Sequence, residues 1–142
     1  MYGLRKKQLA AVLIPVCLGF TDHFLKHLAV KGLFSYTLNS GLMFGILPEV
    51  WYLSIFVYLL SSVILLRWCL SKITPLSLLI TSLFIGGGLS NTLDRLVYGG
   101  VIDYIPLFFS KVNASDLGII ASLFLLSYHN INIRNLKSVS EF

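Results

Sequence analysis

The sequence predicts an all-α polytopic membrane protein: four transmembrane helices, both termini cytoplasmic, and a small extracytoplasmic β element between helices 1 and 2. Three observations predict it. Of 142 residues, 56% are hydrophobic and only 12% charged, about half the charged fraction of an ordinary soluble domain, so polar side chains are too few to cover a water-facing surface. Val50 to Leu66 and Ile73 to Leu93 are charge-free runs of 17 and 21 residues, close to the ~20 that a helix needs to cross a bilayer. The basic residues, finally, are divided unevenly between alternate connections.

The first apolar segment, residues 9–30, follows Arg5, Lys6 and Lys7. A basic start, an apolar run and Cys17 imitate a lipoprotein signal peptide. Pro15 and Val16, however, stand where small residues precede a cleavage point, and no soluble domain follows, so this segment is expected to stay as a helix. After Lys31, Phe34, Tyr36 and Leu38 alternate with Ser35 and Thr37 ahead of an Asn-Ser-Gly turn signal, which suggests the β element. The second and third spans, residues 50–66 and 73–93, are joined by a short loop around Ser71 to Thr74. They are therefore antiparallel neighbours, and Pro75 suits the first turn of the third. The fourth span covers residues 117–133. With no internal repeat or low-complexity tract, residues 1–142 read as one integral-membrane domain.

Four spans place both termini on one side. That side holds Arg5, Lys6, Lys7, Arg67, Lys72, Arg134 and Lys137 against Glu141, a balance of +6; the other holds Lys26, Lys31, Arg95 and Lys111 against Asp22, Glu49, Asp94, Asp103 and Asp116, a balance of −1. The positive side is the cytoplasmic one. The net charge of +5 is scattered singly among apolar runs, without the patch or stripe that nucleic acid requires. Cys17 and Cys69 both lie in apolar stretches, which provides neither a disulfide framework nor a thiolate set for zinc.

Ionisable groups near hydrocarbon cost several kcal/mol and need partners or a task. Asp22, Lys26, Asn39, Asn91, Asp94, Arg95, Asp103, Asn113 and Asp116 all fall at or near the outer helix ends, which points to one shared outer-leaflet site. Asn91, Asp94 and Arg95 are spaced to share a helix face. Asp116 suits the first turn of the last helix, where Asn113 or Ser115 would assist a cap. Asp103 could pair with Lys111 or Arg95. Asp22 and Lys26 form an i, i+4 pair of opposite sign, a structural role. His23 and His27 share that spacing but have no third ligand nearby, so no metal or other cofactor is expected. Gly86 to Gly88 reads as a close helix-packing surface, because no strand precedes it and no Lys-Ser/Thr follows.

Four ordered blocks resemble the lipoprotein signal peptidases (signal peptidase II), polytopic aspartic proteases of bacterial inner membranes. They are Asp22-His-Phe-Leu-Lys26; Asn39-Ser-Gly-Leu-Met-Phe-Gly45; the stretch from Gly86 to Ile105, with Asn91, Asp94, Arg95, Gly99, Val101 and Asp103 in register; and Val112-Asn-Ala-Ser-Asp116. The resemblance implies that Asp103 and Asp116 are catalytic, that Asn39, Asn91, Arg95 and Asn113 surround the substrate, and that Asp22 and Lys26, with Asp94, give structural support. Departures from the usual pattern are His23 for Gln, Leu42 and Met43 for small residues, Ser90 for Gly, Val112 for Phe and Ser115 for Ala. None removes a carboxylate.

The implied reaction is hydrolysis of the peptide bond before a diacylglyceryl-modified cysteine, without metal. The implied partners are a lipid-modified prolipoprotein, membrane lipid and globomycin-like cyclic peptide inhibitors. Two rival readings use the same residues. A small transporter or channel component would distribute its charges through the membrane depth, whereas here they gather at one face. An inactive lipoprotein-binding relative is opposed by retention of both aspartates.

Overall fold

A computed structural model describes residues 2–41 and 51–140. Among them are four helices, α1 (Tyr2–Val30), α2 (Trp51–Ser71), α3 (Pro75–Tyr98) and α4 (Ala114–Ser140), and four short strands, β1 (Thr37–Asn39), β2 (Val101–Asp103), β3 (Ile105–Leu107) and β4 (Ser110–Val112). The helices outrun the apolar segments, and defined caps close the end of α1 and both ends of α3. α1 closes on Gly32, in the left-handed region at φ 84°, with Gly32 N donating to Ala29 O and Leu33 N to Leu28 O. This is the paired bonding that satisfies orphaned terminal carbonyls. Thr74 caps α3 ahead of Pro75 through a reciprocal bond with Ser77, and Gly99 ends that helix at φ 72°.

Three described helices, α1 from Arg5, α2 and α3, are long and apolar enough to cross a membrane. α4 has the length, at 27 residues, but Tyr128, His129, Asn130 and Asn132 interrupt its apolar run. Composition therefore supports three of the four expected spans. Phe20, Phe56, Phe124 and many aliphatic side chains stand exposed on the helices, an arrangement suited to lipid and unfavourable in water.

α3 is the central helix and packs on α1, α2 and α4. Its three successive glycines, turned about 100° apart, each meet a different neighbour. A Cβ on Gly86 would face the Pro15 carbonyl of α1, on Gly87 the Ser115 carbonyl and Ile119 of α4, and on Gly88 the Tyr58 ring of α2. The packing role expected of this motif is borne out. Pro15 inside α1 frees the carbonyl of Ala11, and Ser82 Oγ of α3 donates to it at 2.8 Å. Leu65, Ile80 and Phe84 form the core between the helices, while Ala29, Ile102 and Tyr104 form a second cluster under the strands.

The β element differs from a local feature between the first two helices. β1 pairs antiparallel with β2, which follows α3, in the register Thr37 to Asp103 and Asn39 to Val101. β3 and β4 form a separate hairpin that the sequence reading did not anticipate. No alternation or glycine turn announces it: its turn is Phe108-Phe109, with Phe108 at φ 46°. Leu42 and Met43, together with Phe44 and Gly45 of the second sequence block, lie outside the described residues.

Candidate active site

Asp103 closes β2, and the β1 register sets Thr37 opposite it and Asn39 two positions further along the same strand, within diagonal reach. Asn39 Nδ2 donates to Asp103 Oδ2 at 3.1 Å, while Asn39 Oδ1 accepts from Gly41 N. Asp116 lies in the first turn of α4. Its backbone N–H donates to Asn113 Oδ1 at 2.8 Å, and its carboxylate accepts from Asn113 N at 3.3 Å, a reciprocal cap. The remaining amide hydrogens of Asn113 point to the other carboxylate, with Nδ2 donating to Asp103 Oδ1 at 2.7 Å. One asparagine thus joins both aspartates, and it is completely buried. The helix-cap reading of Asp116 holds, and the carboxylate faces the cavity as well.

Asn91 Nδ2 donates to Asp116 Oδ1 at 2.7 Å. Three asparagines named from the sequence, Asn39, Asn91 and Asn113, therefore hold the carboxylates directly. Arg95 does not bond either aspartate; its Nη2 donates to Gly41 O at 3.0 Å and its Nη1 to Asn91 O. Asp103 pairs with neither Lys111 nor Arg95. Lys111 instead donates to Ser35 at 2.8 Å.

Behind the aspartates lies a buried ionic cluster. Lys26 Nζ is 2.8 Å from Asp22 Oδ2 and 2.8 Å from Asp94 Oδ2, so the expected Asp22–Lys26 pair is present and Asp94 completes it. Asp94 also accepts from Ile102 N, which ties the middle of β2 to α3. Tyr104 was missed in the sequence. Strand alternation turns it away from the cavity side of Asp103, and its hydroxyl donates to Asp22 Oδ1 at 2.8 Å. His23 and His27 are exposed on α1, away from this cluster.

Asp103, Asp116, Asn39, Asn91 and Arg95 line a common cavity of about 470 Å³. Its lower walls are apolar, formed by Leu53, Val57 and Tyr58 of α2, Phe84 of α3 and Ile119 of α4. Burial pushes the Asp103 carboxyl up to about 6, and the neighbouring Asp116 charge adds to the rise, against the opposing effects of Asn39, Asn113 and Lys26. Burial and the adjacent Asp22 likewise raise Tyr104, which keeps it a hydrogen-bond donor. Two carboxylates on one cavity, one of them raised to about 6, are equipped for paired acid and base chemistry.

Residues 14–132 match the family model described as Signal peptidase (SPase) II. The chain is similar to the lipoprotein signal peptidase of Syntrophomonas wolfei subsp. wolfei, 37% identical over 94 residues that cover 65% of this chain and 63% of that protein. That of Halothermothrix orenii is 34% identical over 94 residues, 65% of each chain. These matches span less than two thirds of either relative's length. The lipoprotein signal peptidase of Caldanaerobacter subterraneus subsp. tengcongensis is 28% identical over 136 residues, 83% of this chain and 93% of its own. A solved structure described as a bacterial membrane enzyme superposes with a TM-score of 0.74 at 21% identity, covering 93% of this chain and 90% of that one. The fold is shared.

Proposed function

Because the chain belongs to the signal peptidase II family, we propose that it is an aspartic endopeptidase that removes the signal peptide from diacylglyceryl-modified prolipoproteins, cutting just before the lipidated cysteine. The observation that carries this reading is the attachment of Asp103 and Asp116 to the same Asn113 on one cavity. Two neighbouring carboxylates in apolar surroundings cannot both ionise cheaply, so the pair shares one proton. The ionised partner takes a proton from water. The oxygen so activated attacks the scissile carbonyl, while the protonated partner donates toward the carbonyl oxygen that gains charge. A proton returned to the leaving amine completes hydrolysis. Asn39, Asn91 and Asn113 hold the carboxylates, and the spare lone pairs and hydrogens of Asn39 and Asn91, which line the cavity, can meet an extended substrate backbone. Arg95 carries only donors and suits substrate carbonyls as well as Gly41.

The cavity's apolar lower wall suits a signal-peptide helix and the acyl chains of a lipid-anchored cysteine. In this reading the protein sits in the bacterial inner membrane with four spans, α4 the last, both termini cytoplasmic and the site at the extracytoplasmic face, as the charge bias supports. Globomycin-like cyclic peptides would occupy the same cavity. The test is Asp103→Asn and Asp116→Asn, each expected to remain folded in the membrane and to leave a lipidated prolipoprotein uncut in a mobility-shift assay. Cleavage by either variant at the parental rate refutes the assignment.

A further inference from the structure

Lys26 is almost completely buried and reaches past its ion-pair partners. Its Nζ donates to Asn91 Oδ1 at 3.0 Å, and the other end of the same amide, Nδ2, donates to Asp116 Oδ1 at 2.7 Å. An ammonium has donors only, and an ionised carboxylate accepts only. Both ends therefore demand the same amide orientation. Turned over, Asn91 would set its NH2 against the ammonium and its oxygen against the carboxylate, two repulsive contacts in place of two bonds.

The ammonium is itself held in place. Asp22 Oδ2 accepts from Ser90 Oγ at 2.9 Å and Ser115 Oγ at 2.7 Å, and Asp22 Oδ1 accepts from Tyr104 OH at 2.8 Å and Ala114 N at 3.0 Å. These donors come from α3, from α4 next to Asp116, and from the residue after Asp103, so the seat of Lys26 is referenced to all three pieces of the site. Ser90 and Ser115 are two of the positions where this chain departs from the family pattern, and their hydroxyls converge on one oxygen atom.

We propose that Lys26, seated on Asp22 and Asp94, is a positioning residue that fixes the orientation of Asn91 and through it keeps a hydrogen-bond donor on Asp116. Ser90 and Ser115 hold that seat. The proposal rests on Asp116 being catalytic. The ionisable groups gathered around the amide are Asp22 and Lys26 from α1, Asp94 and Arg95 from α3, Asp103 from β2 and Asp116 from α4.

Asn91→Asp separates the two ends of the amide: it keeps an oxygen for Lys26 and places a second oxygen against Asp116. The variant should retain the parental unfolding temperature within a few degrees, with kcat for a lipidated prolipoprotein lowered about 100-fold near neutral pH. The pH profile of kcat should move to higher pH with it, because a third carboxylate beside Asp116 makes the pair hold its shared proton more tightly; a merely structural role leaves the profile in place. Ser90→Ala combined with Ser115→Ala, which leaves every charge in place, should lower kcat severalfold in the parent and have no further effect in the Asn91→Asp background. Parental kcat for Asn91→Asp across the pH range, or full additivity of the serine changes, overturns the proposal. Asp116→Asn runs alongside: if it cleaves normally, the premise fails instead, and the two failures are told apart.

Discussion

Gly87 sits on α3 where α4 begins, and replacing it with alanine should disturb the site through backbone alone. The added Cβ would lie 2.6 Å from the Ser115 carbonyl oxygen and 2.9 Å from Ile119 Cγ1. Ile119 can rotate, but the carbonyl cannot, so reaching the 3.4 Å of ordinary contact requires the two helices to part locally by about 0.8 Å. Ser115 immediately precedes Asp116, and Asn91 lies one helical turn along α3. The 2.7 Å bond between Asn91 and Asp116 would stretch to the edge of hydrogen bonding, and the distance from Asp116 to Asp103 would change with it. A misplacement of about 1 Å at reacting groups can cost about 100-fold in rate, and overpacking costs about 1–3 kcal/mol of stability. Gly86→Ala is the control, since its Cβ would meet only the Pro15 carbonyl oxygen, at an unstrained 3.8 Å. Steady-state cleavage of a lipidated prolipoprotein, with thermal unfolding in the same detergent, should show Gly87→Ala slowed on the order of 100-fold and less stable, and Gly86→Ala near parental in both. Equal behaviour of the two variants would refute the reasoning, because only the Gly87 methyl group lacks room against its neighbouring helix.

Two other outcomes follow from single contacts. The Asp103 carboxyl is raised to about 6 from 3.8, so the folded state favours its proton; that contribution is complete below the unfolded value and is lost as pH rises through the folded one. Unfolding free energy should therefore fall between roughly pH 4 and pH 6 by a share, at most about 3 kcal/mol, that Asp103→Asn lacks; parallel stability profiles for the two proteins would contradict the assignment. Ser82→Ala should lower stability by about 1–3 kcal/mol, because the Ala11 carbonyl freed by Pro15 loses its donor, while leaving kcat unchanged. An unaltered unfolding temperature would show that this carbonyl finds another partner.

Much of the fold was legible because the relevant properties are local and additive. Apolar runs longer than a bilayer is thick become helices wherever they sit, and a proline after threonine starts one regardless of its neighbours. The residue types of the site were legible for a related reason: charges and asparagines in so apolar a chain stand out. Their pairings were not. Asp103 looked suited to Lys111 or Arg95, yet it is held by Asn39, 64 positions away, and by Asn113. That outcome required β1 to pair across α3 with β2 and not within its own loop. Tyr104, Ser90 and Ser115 carry no motif of their own and gain a role only where α1 brings Asp22 among them.

By itself, then, the sequence determined which segments leave water and which side chains have chemistry to offer, since burial of apolar surface and the preference of charge for the interface depend on composition along the chain. Tertiary structure alone decided which donor meets which carboxylate. A hydrogen bond forms only within a few tenths of an ångström of its proper length, and that precision comes from three glycines letting α3 lie close to every other helix.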